Sequence, residues 1–233
     1  MRAEPKPKRW QAAYTETRRR ILTLGLPPGS PLSEAWVARE FGMSATPARD
    51  ALGRLCQEGL VVVGPGRGYS VASLSVSDVA ELTELRLVLE TGIARLVMRY
   101  ATPESLDTLR LLAGEVGEDL APVERIQRNE RFHLAVAELT GNHRLVGMLR
   151  AVLQDSQRVF HLGISELTAA EMAATHRRLV EAIAAGDVET TMRASEEDAY
   201  GTSERVITQL VRGPSRNGYL VGVGPRWNYP TAS

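Results

Sequence analysis

Asn129, His133, His176 and Asp198 are the residues whose types and spacing suit metal chemistry. Asn129 and His133 stand four apart, which puts them on one face of a helix. Asp198 follows His176 by 22 residues, across a Gly186-Asp187 stop. Two antiparallel helices around such a turn bring those positions level, so three helices converge nitrogen and oxygen donors inside a bundle. Two imidazoles and one carboxylate are a common set for a divalent ion such as Zn or Ni, and Asn129 adds a weaker carbonyl oxygen. Glu197 is the alternative carboxylate if its helix is rotated. The plainer alternative is a pocket that binds by hydrogen bonds alone. A third reading makes His133, His176 and Asp198 the centre of a metal-dependent enzyme acting on a small organic acid, although no general base or nucleophile constellation accompanies them.

A second constellation lies in Leu32–Gly59, which reads as two short helices around a tight turn at Phe41-Gly42-Met43. Ser33 and Ser44 are placed to cap them, and Pro47 falls in the first turn of the second, where a missing N–H is harmless. Ala48, Ala51, Leu52 and Leu55 make the apolar face of that helix. Thr46, Arg49 and Arg54 lie outside it, free to meet phosphates or base edges. Leu60–Val63 and Tyr69–Val71 then flank a Gly-Pro-Gly-Arg-Gly turn, a wing whose Gly66 and Arg67 suit close approach to a DNA backbone or minor groove. Together these predict a winged helix-turn-helix that uses Ser44, Thr46, Pro47, Arg49, Arg54, Gly66 and Arg67 on double-stranded DNA.

The rest of the chain positions these groups. Trp10–Leu24 reads as a leading helix, and Ala72–Ser77 as a connector. Helical patterns follow near 78–100, 103–120, 122–140, 142–162, 169–185 and 188–211, with no further strand signal. The expected class is mainly α: a winged helix-turn-helix over 1–74, an all-α bundle over 75–212 and a Gly/Pro-rich tail over 213–233. In the tail, Tyr219, Trp227 and Tyr229 suggest packing. Net charge is zero but asymmetric. Residues 1–74 hold 11 Lys+Arg against 6 Asp+Glu, while 75–212 hold 15 against 22. A basic front, helped by Lys6, Lys8, Arg9 and Arg18-Arg19-Arg20, fits DNA contact through the first part only. One cysteine, Cys56, fits a reducing compartment, and no apolar run is long enough to span a membrane; a cytoplasmic location is expected.

Gly25-Leu26-Pro27-Pro28-Gly29, Leu32-Ser33-Glu34, Gly42 through Leu52, Arg54-Leu55, Glu58-Gly59-Leu60-Val61 and Gly66-Arg67-Gly68 resemble the GntR family of bacterial transcription regulators. The residue after Ser44, usually a base-reading Arg in that pattern, is Ala45, so Thr46 and Arg49 would carry more of the recognition. The second half resembles the FCD ligand-binding domain of the FadR branch through Glu84–Glu90, Phe132-His133, Gly141-Asn142, the His176 segment and Gly186-Asp187. The resemblance implies a divalent metal on the positions of Asn129, His133, His176 and Asp198, where the pattern has Asp, His, His and His. It also implies that Arg86 either faces the effector cavity, where its fork suits a carboxylate, or packs with Glu90, and it implies a homodimer, a near-palindromic operator and, most often, repression.

Overall fold

The computed structural model describes residues 9–64, 68–117, 119–163 and 169–212. The chain divides into two compact units, the first ending at Leu74 and the second beginning at Ser75.

The first unit opens with α1 (Arg9–Leu22), followed by β1 (Pro31–Leu32), α2 (Glu34–Glu40), α3 (Ala45–Gln57), β2 (Val61–Val63) and β3 (Tyr69–Val71). The sheet is antiparallel in the order β1-β3-β2, with Leu32 opposite Tyr69 and Val61 opposite Val71. The two-residue β1 was not foreseen. Proline bars it from donating at Pro31, and it has become a strand only because β3 offers it an edge. Ile21, Val37, Ala48, Leu52, Leu55, Val61 and Val71 form the core, so α1 and the sheet clamp the apolar face of α3. Gly42, between α2 and α3, has φ 59°, and Gly59, between α3 and β2, has φ 71°. Both turns need the left-handed backbone that glycine adopts without a Cβ penalty.

The second unit consists of α4 (Val76–Val97), α5 (Pro103–Gly114), α6 (Pro122–Glu138), α7 (His143–Asp155), α8 (Gln157–Gly163), α9 (Ala169–Ala185) and α10 (Val188–Arg212). Its helix starts follow local chemistry. Ser75 and Asp78 form a capping box on α4, Thr102 and Ser105 form one on α5 ahead of Pro103, and the Asn142 side chain accepts from two N–H groups of α7. Ser75→Ala should therefore lower unfolding free energy by about 1 kcal/mol, read from urea titration followed by circular dichroism. A value near zero would mean that solvent replaces the cap without loss.

The predicted single helix over 142–162 is two helices, with the break at Ser156. No glycine or proline stands there. Ser156 is buried, and the corner takes Arg158, Val159 and Phe160 inside, so tertiary packing overrides a continuous helical pattern. The core runs through Leu89, Ile93, Leu109, Phe132, Leu149, Leu153, Val180 and Ile183. The long α4 and α10 lie against each other, with α6 and α7 also on α4, which brings three site-bearing helices together. Among the described residues no helix is long and apolar enough to cross a membrane.

Candidate functional site

The helix pair of the first unit presents a polar outer face. Ser33 caps α2 by accepting from the Trp36 N–H at 3.0 Å. Ser44 occupies the N-cap position of α3 in extended conformation, but its hydroxyl makes no capping bond, contrary to expectation, and stays exposed. Thr46 and Arg49 are exposed on the first turns of α3, and Pro47 is half-buried. The Arg49 guanidinium, expected to be free, donates through two nitrogens to Glu34, at 2.7 and 2.9 Å. Arg54 is placed differently: its guanidinium lies 4.1 Å over the Trp10 ring of α1. Gly66 and Arg67 lie outside the described residues, as do Lys6, Lys8 and the tail aromatics. In the basic run, Arg18 pairs with Glu58, Arg19 with Glu16, and Arg20 with Glu16 and Glu40. Those charges are partly neutralised within the unit.

Inside the helical unit a polar cluster interrupts the apolar core. Arg86 and Glu90 are one turn apart on α4, both almost fully buried, and Arg86 Nε donates to Glu90 Oε1 at 2.9 Å. The second arm of the guanidinium reaches Asp198 Oδ2 on α10 at 3.0 Å. His133, on α6, stands between the same two carboxylates at ion-pair distance: Nδ1 lies 3.3 Å from Glu90 Oε2, and Nε2 lies 3.3 Å from Asp198 Oδ2 without hydrogen-bond geometry. His176, on α9, is stacked on Phe132 at 3.9 Å between centroids and meets His133 edge-on. Its Nε2 is 3.1 Å from Asn129 Oδ1, while its buried Nδ1 has no hydrogen-bond partner among the described residues. His133, His176 and Asp198 each offer a donor atom within 4.8 Å of the others.

Burial and charge set the protonation pattern. Burial alone would lower the His133 pKa, but Glu90 and Asp198 outweigh it and raise the pKa to about 9. Burial, aided by the nearby His133 charge, lowers His176 to about 3, so that ring is neutral. Burial opposes the charged form of both carboxylates. Arg86 and then His133 hold Glu90 below its ordinary value, and His133 and then Arg86 hold Asp198 far below its own. With His133 protonated, two buried cations face one buried and one largely buried carboxylate, and the cluster closes electrically.

These donors fit a cation. Donors at about 2.0–2.2 Å from one ion stand roughly 3–4.4 Å apart. The His133–Asp198 and His176–Asn129 separations of 3.3 and 3.1 Å fall in that range. The partnerless Nδ1 of a neutral imidazole is a second mark of a polar site that wants a further group. Glu197 is not the carboxylate of the site: half-exposed, it pairs with Arg178. Arg128 pairs with Glu115 near the surface. The contribution missed in the sequence is Glu90's second role, holding His133 Nδ1. Its signal was the i,i+4 spacing from Arg86, which a surface ion pair shares. Phe160, whose ring stands 5.1 Å from Arg86 Cζ, gave no local signal.

A winged head with exposed polar side chains on its second helix, followed by a helical unit that buries a charged cluster, defines the architecture of a winged helix-turn-helix regulator with a second, all-helical domain. Residues 10–71 match the gntR family of bacterial regulatory proteins, and residues 81–198 match the FCD domain. The chain is 32% identical over 198 residues to an uncharacterized HTH-type transcriptional regulator in an unstable DNA locus of Streptomyces ambofaciens, spanning 83% of this chain and 84% of the relative. It is 31% identical over 124 residues to the transcriptional repressor RspR of Escherichia coli, spanning 53% of each. The E. coli McbR/YncC structure shares the fold at TM-score 0.70 and 22% identity, covering 87% of this chain and 98% of that one. The chain belongs to the GntR family, and its helical unit is an FCD domain. It is a transcriptional regulator rather than the metal-dependent enzyme that the His133, His176 and Asp198 set also admitted.

Proposed function

We propose that this chain is a homodimeric repressor, acting in the cytoplasm, whose hold on a near-palindromic operator is controlled by a small carboxylate bound in the helical unit with the help of a divalent cation. Residues 1–74 read DNA, and 75–212 receive the effector. The observation that carries this reading is the buried Arg86–Glu90–His133–Asp198 cluster beside a neutral His176 whose Nδ1 has no hydrogen-bond partner among the described residues. Such groups are costly to bury in a purely structural bundle, and they suit an ionic ligand. His133, His176 and Asp198 hold the cation, and Asn129 adds its carbonyl oxygen or orients His176. When bound, the ion supplies Lewis-acid positions for a carboxylate oxygen. Exchanging the His133 proton for a dication leaves the cluster one positive charge in excess, which favours an anionic effector.

On DNA, each subunit lays α3 into a major groove, with Ser44, Thr46, Pro47 and Arg49 at the leading end and Gly66 and Arg67 on the wing. Arg54, stacked on Trp10, serves the α1–α3 contact rather than a base edge. Arg49→Ala should weaken operator binding about tenfold, the effect of one good guanidinium contact. Anisotropy titrations at several salt concentrations check this. A drop confined to the operator marks a base contact, and a uniform drop with a shallower salt slope marks a phosphate.

The function itself is tested by gel shift on DNA upstream of the chain's own gene, with Ni2+ or Zn2+ and a panel of small organic acids. Salt-sensitive, sequence-selective binding that one acid weakens supports the proposal. Absence of selective binding in every sample overturns it.

A further inference from the structure

We infer that Asp198 is an exchangeable carboxylate that makes Arg86 a cation-gated anion site, a mechanism that rests on the cation reading above and goes beyond it. A single oxygen, Asp198 Oδ2, lies 3.0 Å from an Arg86 terminal nitrogen and 3.3 Å from His133 Nε2. The guanidinium and the cation position therefore compete for the same atom. Two of the three Arg86 nitrogens are taken, one by Glu90 and one by Asp198, so the fork that suits a carboxylate ligand is closed in this state.

A cation bridging His133 Nε2 and Asp198 draws Oδ2 toward itself, since metal–oxygen bonds are about 2.0–2.2 Å. It also brings a second positive charge close to the guanidinium. Both effects break the Arg86–Asp198 bond. Arg86 does not lose its place, because Glu90 still holds Nε and the Phe160 ring stands 5.1 Å from Cζ. The released arm then points its donors at a carboxylate or similar small oxyanion. Cation and anion consequently strengthen each other's binding by the same factor, as linkage requires. The family pattern has a histidine where this chain has Asp198, and an imidazole ligand cannot accept from Arg86 as a carboxylate does. The device therefore follows from this chain's own substitution.

The test is calorimetry on the full chain, titrating Ni2+ with and without excess acetate at constant ionic strength in chloride. In the unaltered protein, acetate should tighten Ni2+ by at least about fivefold, the lower range of ordinary allosteric coupling. Asp198→His keeps a ligand but frees Arg86 permanently. Ni2+ should still bind, and acetate should change its affinity less than about twofold, below that coupling range. Arg86→Lys keeps the charge without the fork and should also abolish the acetate effect, which covers the case of an Asp198→His chain that does not fold. Wild-type coupling that persists in either variant means that acetate sits on the ion alone, and it overturns the exchange while leaving the cation site standing. Ni2+ binding without any acetate effect in the unaltered chain also overturns the exchange. Absence of Ni2+ binding to the unaltered chain removes the cation reading and the exchange together.

Discussion

Arg86→Ala should lower the unfolding free energy of the helical unit by about 3–5 kcal/mol, the usual loss when one partner of a buried ion pair is removed. Arg86 is 3% exposed, and its two partners, Glu90 and Asp198, are 6% and 12% exposed. Removal takes from two carboxylates in a low-dielectric interior one of the two cations that face them, His133 being the other. The pair itself need not stabilise the fold relative to an apolar core; the loss comes from the charges left behind. Arg128→Ala is the control. Its bond to Glu115 is 2.6 Å, shorter than either Arg86 bond, but the two side chains are 39% and 29% exposed, so solvent screening limits the loss to under about 1 kcal/mol. Urea unfolding of both variants by circular dichroism separates the cases. Equal losses would mean that bond length, not burial, sets the energy.

The affinity for Ni2+ or Zn2+ should fall about tenfold for each pH unit below 9, because the ion must displace one proton from His133. Glu90 and Asp198 overcome burial to raise that pKa to about 9, with the Arg86 charge and neutral His176 as the other facing groups. His176, lowered to about 3, has no proton to give up near neutrality. Calorimetry in buffers of different ionisation enthalpy should therefore count one proton released per ion at pH 7. A count of zero would mean that His133 is neutral or is not a ligand.

Stability without the ion runs with the opposite sign. The His133 contribution is fully present below its ordinary 6.5 and is lost as pH rises through about 9. The lowered His176 favours unfolding once pH falls below 6.5, where the unfolded chain takes up a proton that the folded one refuses. Thermal stability of the metal-free unit should accordingly peak near pH 6.5. A stability that climbs steadily to pH 9 would contradict the protonated His133.

Among elements, α9 was legible to the residue, because Ala169–Ala185 carries an uninterrupted helical pattern that ends at Gly186. The helix pair of the winged head was legible for the same kind of reason: Gly42, Pro47 and the Ala48–Leu55 apolar face are local signals. The α7–α8 break and β1 were not, because neither is encoded by a turn residue. One arises from packing around Ser156, the other from an edge that β3 supplies. For Arg54, the sequence could say only that it lies off the apolar face; the aromatic ring that receives it belongs to α1, 44 residues earlier.

Residue type and helical period alone thus determined that this chain has a winged helix-turn-helix head, an all-helical second part, and Asn129, His133, His176 and Asp198 as one candidate set. What only the folded chain decided is how those groups divide the charge. Arg86 and Asp198 stand 112 residues apart, and no periodicity could announce that they share an oxygen with His133. Periodicity selects the face of a helix, whereas the partner met on that face is fixed by how α4, α6, α9 and α10 pack.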